Sequence, residues 1–136
     1  MCETDRPDKP FCDPVRVQRV AKKLDGAALL AALNAKDATN ETRFAAIQKF
    51  ADDLGAAIMN EFREESRRGV LGADEMMLVT AFAHIFVLGS TPGLGETCRR
   101  LAADPFVSAA RAHFKSDEQA SANPLRAQAV ASFFGA

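Results

Sequence analysis

Residues 40–69, NETRFAAIQKFADDLGAAIMNEFREESRRG, decide the fold class. Phe44, Ile47, Phe50, Ala51, Leu54, Ile58 and Phe62 recur at steps of three and four residues, which on an α-helix lays down one continuous apolar stripe. Lys49, Asp52, Asp53, Glu61, Glu64 and Glu65 fall mainly off that stripe. Thr39 or Asn40 can accept a hydrogen bond from the first free amides, and Arg67, Arg68 and Gly69 supply the cations and the flexible residue that end a helix. The spacing predicts a helix over 41–68. Gly55 in its middle costs about 1 kcal/mol relative to Ala and is expected to mark a close helix crossing.

Working outward, the same start signal appears three times: Asp13-Pro14, Asp104-Pro105 and Asn123-Pro124. Each pairs a capping side chain with a proline at the first helical position, where the missing N–H removes no bond. Helices are therefore expected over 14–24, 105–115 and 124–134. A second helix is expected over 27–35, after Asp25-Gly26, and a central one over 73–88, with Asp74 and Glu75 in the first turn where the helix dipole favours anions. Residues 89–95 read as a loop, with Thr91 as cap and Pro92 in the first turn of a short helix that ends near Ala103. No stretch alternates with a two-residue period, so no strand is expected. The prediction is an all-α, single-domain bundle of six or seven helices over 1–136, with 41–68 and 73–88 as the central pair and 1–12 as an arm holding Pro7 and Pro10.

Composition narrows the class. Of 136 residues, 48% are hydrophobic and 26% charged, which is the balance of a folded globular chain, and the net charge of −1 draws it to no polyanion. Ten Phe stand beside no Tyr and no Trp, an inventory that fills cores but lacks the polar handle favoured at interfaces and stacking platforms. Cys2, Cys12 and Cys98 are odd in number, and the N-terminal residues are polar and Pro-rich without an apolar run, so a cytoplasmic protein with free thiols is expected. The apolar run 76–88 would extend about 20 Å as a helix, short of the roughly 30 Å of a bilayer core, and reads as a core helix with no membrane partner.

Signatures of chemistry are few. His84 and His113 are the two histidines, neither has Glu three residues before it, and no H-E-x-x-H, C-x-x-C or G-x-S-x-G occurs. No metal, cofactor or catalytic residue is assigned. Paired carboxylates at 52–53, 64–65 and 74–75 point about 100° apart on a helix and serve as solvated or dipole-facing charge. Residues 89–97, GSTPGLGET, lack the lysine of a phosphate-binding loop and read as a connection.

Three functional readings remain. The leading one is a non-enzymatic protein–protein interaction or regulatory protein that forms a homodimer. It rests on segments 27–35 and 76–88, both apolar on nearly every side and more than a domain this size readily buries, with Leu29, Leu30 and Leu33 as the leading contacts. Arg16, Arg19 and Lys23, with Lys22 at the flank, form a basic face on the first helix for an acidic partner. The second reading is a small-molecule-binding protein or an enzyme without recognisable motifs. Thr80 and His84, one helical turn apart and opposite Leu78, Phe82, Ile85 and Phe86, would orient an apolar pocket. The plainer role for His84 is a boundary residue bonded to the backbone or to Thr80. The third reading, a weak nucleic-acid-associated protein using the basic first helix, suffers because the second helix offers nothing to read base edges.

Overall fold

A computed structural model describes residues 14–115 and 129–130. Among them the chain is all-α, with seven helices and no strand. These are α1 (Pro14–Lys22), α2 (Gly26–Asn34), α3 (Asn40–Glu61), α4 (Arg63–Arg67), α5 (Ala73–Ser90), α6 (Leu94–Leu101) and α7 (Asp104–Lys115). The arm with Cys2 and Cys12 lies outside the described residues, as does the segment expected as a helix over 124–134 apart from Ala129 and Val130, which are helical.

Capping chemistry sets the starts. Asp25 accepts the Ala28 amide at 2.9 Å to open α2. Thr39 is the cap of α3: its hydroxyl accepts from the Thr42 amide at 3.2 Å, and its own amide donates to the Thr42 hydroxyl at 2.9 Å. Asn40 is thus the first helical residue rather than the cap.

Two expectations change. The single helix over 41–68 is broken at Phe62, whose backbone (φ −109°, ψ 21°) leaves the helical path between α3 and α4. The Phe62 side chain is fully buried at the break, and Arg16 of α1 donates to the Glu61 carbonyl there at 2.9 Å. Gly69 does end the run: it adopts φ +74°, and the Val70 amide reaches back to the Glu65 carbonyl at 3.0 Å, the closure that a left-handed residue permits. The loop over 89–95 is shorter than expected, because α5 continues through Gly89 and Ser90. Ser90 bonds back to the Phe86 carbonyl at 2.8 Å, and Gly93, at φ +86°, leads into α6 with no side-chain cap. Thr91 closes α5 instead of capping the next helix.

One buried cluster joins the elements. Val17 and Val20 of α1, Leu29 and Leu33 of α2, the predicted α3 stripe, and Met76, Val79, Ala83 and Val87 of α5 all belong to it. α1 lies along α5 and against α3, α2 packs on α3 and α6, and α7 packs on α3. The approach of α2 to the end of α5 is close enough to demand Gly26, since a Cβ there would meet Thr91 Oγ1 at 2.2 Å and Val87 Cγ1 at 3.1 Å.

Candidate interaction surface

α5 is built inside out. Its buried face carries Met76, Val79, Ala83 and Val87, but also the two polar side chains of its central stretch, Thr80 and His84. Thr80 is fully buried and donates its hydroxyl to the Met76 carbonyl at 2.8 Å, the bond that lets a threonine sit in an apolar interior. His84 is buried against the edge of the Phe50 ring at 5.9 Å between centroids, and desolvation lowers its pKa from 6.5 to about 4, so it is neutral at physiological pH. The expected boundary position for His84 is therefore corrected to an interior one. The two residues do not line the grooves on either half of the outer face of α5.

The bulky residues expected on the opposite side are where the surface is. Leu78, Phe82 and Ile85 are 45%, 37% and 60% exposed. Together with Asp74 and Gly89 they fall at steps of four, four, three and four, which is one continuous stripe on the outside of the helix. Each end of that stripe has a groove. The groove on the N-terminal half is lined by Asp74, Met77, Leu78 and Ala81. The other, about 490 Å³, runs between α1 and the C-terminal half of α5 and is lined by Gln18, Ala21, Lys22, Ile85, Phe86, Gly89 and Ser90. Among the described helices, α5 is the one long and apolar enough to cross a bilayer by length and composition, although its Val79–Val87 face packs into the domain.

The residues expected to make partner contacts sit elsewhere. Leu29 and Leu33 are buried in the chain's own core, and Leu30 is half-buried; the outward positions of α2 are Ala27, Ala28, Ala31 and Asn34. The basic face of α1 is turned onto α3 and α4. Arg16 donates to Glu65 at 2.5 Å and stacks over the Phe62 ring at 4.4 Å, Arg19 donates to Glu61 at 2.8 Å, and Lys23 lies 4.0 Å from the same carboxylate. The hydrogen bond from Arg16 holds the Glu65 carboxyl below its ordinary value. Three of the four cations thus serve an internal clamp, with Lys22 left on the rim of the groove.

No group of three or more metal-ligating side chains converges among the described residues. His113 of α7 stacks on Phe44 at 4.9 Å, on a different ring from the one His84 meets. Cys98 is a free thiol, and burial pushes its pKa up to about 11, which leaves it protonated and poorly nucleophilic at neutral pH. The exposed α5 stripe was within reach of the sequence only as a list of large residues; which side of an all-apolar helix meets water depends on α1 and α3, which pack on the other. The chain matches no protein-family model, no curated protein and no solved structure.

Proposed function

We propose that this chain is a non-enzymatic interaction module that works as a homodimer, pairing through the outer face of α5. The observation that carries this reading is the exposure of Leu78, Phe82 and Ile85 on a helix that buries Thr80 and His84. Large apolar side chains in a contiguous exposed stripe mark interfaces, whereas scattered ones do not.

A second copy suits the stripe because the stripe is complementary to itself. A two-fold axis between Ala81 and Phe82 sets two α5 helices antiparallel. It places Ile85 of one copy over the groove formed by Met77, Leu78 and Ala81 of the other. The same operation brings Asp74 beside Gly89, where Lys22 of the second copy lines the rim. Opposite charges meet at both ends, and Gly89 offers no side chain to hold the backbones apart.

Light scattering coupled to gel filtration tests the arrangement through charge exchange. Asp74→Lys and Lys22→Asp each shift the chain toward monomer, and the double variant returns toward dimer. A wild-type monomer throughout the micromolar range, or a double variant no better than the singles, overturns the pairing; uptake by lipid vesicles in place of dimerisation would reassign the stripe to a membrane surface.

A further inference from the structure

A third cavity stands apart from α5, where the start of α3, the end of α6 and the start of α7 meet. It measures about 290 Å³ and is lined by Asn40, Arg43, Arg100, Leu101, Ala103, Pro105 and Phe106. Two guanidinium groups from different helices share it, and neither is paired with a carboxylate among the described residues.

Both arginines are held from behind by consecutive residues at the end of α2. Arg43 donates its Nε to the Leu33 carbonyl at 3.3 Å. Arg100 donates from Nη2 to the Asn34 side-chain oxygen, and the Asn34 amide donates in turn to the buried Thr97 hydroxyl at 3.2 Å. A guanidinium has five N–H donors, and each of these uses one on its anchor. Leu101, Pro105 and Phe106, which line the same cavity, are apolar. Anchoring a helix end requires one donor from each arginine; it does not require two fork-shaped cations beside an apolar wall.

We propose that this cavity binds a small phosphate monoester, with the phosphate on Arg43 and Arg100 and the ester group against Phe106. Planar guanidinium forks match the paired oxygens of a phosphate, and two of them together suit a dianion better than a single carboxylate. The volume lies at the small end of ligand sites, enough for a phosphate and one ring. The site is separate from α5 and stands or falls independently of the dimer.

Two-dimensional amide NMR of the full chain, titrated with phenyl phosphate, inorganic phosphate and phenol, tests this. Phenyl phosphate is expected to give saturable shifts at Asn40, Arg43, Arg100 and Phe106, weakened by added salt, and phenol none. Arg100→Gln, an exposed change that leaves the core intact, is expected to weaken binding about tenfold or more. Arg43→Lys, which keeps the charge and loses the fork, is expected to weaken it less than Arg43→Gln. Equal binding of inorganic phosphate supports the anion site while removing the role of the apolar wall. Absence of saturable shifts with either phosphate, or shifts that Arg100→Gln leaves unchanged, overturns it.

Discussion

α2 and α5 look alike as strings of residues, since both are apolar nearly all round, yet they meet water in opposite ways. In α2 the large side chains Leu29 and Leu33 are buried, and the outward positions hold Ala27, Ala28, Ala31 and Asn34. In α5 Met76, Val79 and Val87 are buried together with the small Ala83 and the polar Thr80 and His84, while Leu78, Phe82 and Ile85 face outward. Alanine exposes little apolar surface and leaves nothing that needs covering; a leucine, a phenylalanine and an isoleucine in a row do. The number of apolar residues in a helix therefore says less about an interface than the size of those on its outer face.

Truncation separates the two helices most sharply. Leu33→Ala is expected to destabilise the fold by about 3 kcal/mol, through lost burial and the cavity left behind. Leu78→Ala, measured at dilution where the chain is monomeric, should stay within about 0.5 kcal/mol. Urea unfolding of both variants checks the contrast, and equal losses would mean that the outer face of α5 is covered within the single chain.

The polar interior of α5 gives a pH signature of comparable size. His84 is neutral in the fold with a pKa of about 4, against 6.5 when unfolded. Between those values the unfolded chain takes up a proton that the folded chain refuses. The stability His84 contributes is thus complete above pH 6.5, falls as pH drops from there, and is lost once pH passes through about 4. The loss amounts to about 3 kcal/mol. His84→Gln cannot titrate, so the stability difference between wild type and variant should be constant above pH 6.5 and shift steadily against the wild type as pH falls below it. Parallel curves across the whole range would place His84 in contact with water.

A smaller effect tests the reassignment of the α1 cations. Arg16→Gln removes a bond to Glu65, a bond to the Glu61 carbonyl and the stacking on Phe62, and is expected to cost about 2 kcal/mol. Were this face a free docking surface, the substitution would leave stability unchanged and alter only binding.

These contrasts show where the sequence was legible. The α3 stripe from Phe44 to Ile58, the Gly69 terminus and the proline-marked starts of α1 and α7 are local features, set within a few residues, and the fold class follows from them. The partners of Arg16 and Arg19 stand 49 and 42 residues away, so a helix that reads as a solvated basic face is in fact clamped. The break at Phe62 was illegible for the same reason, since the periodicity runs unbroken through it while the carbonyl at the break is met by a residue from α1. The orientation of α5 is the extreme case. With apolar residues on both sides, no moment points the helix, and what turns Thr80 and His84 inward is the packing of α1 and α3 against that side. The cavity at Arg43 and Arg100 brings together residues 57 positions apart and left no mark in the sequence at all.

The most direct measurement of the central claim is sedimentation equilibrium of the wild-type chain beside Phe82→Ser with Ile85→Ser. The wild type is expected to be a dimer in the micromolar range, and the double variant a monomer with an unchanged unfolding midpoint at dilution. A wild-type chain that sediments as a monomer at every concentration, or a double variant that remains dimeric, would contradict the claim.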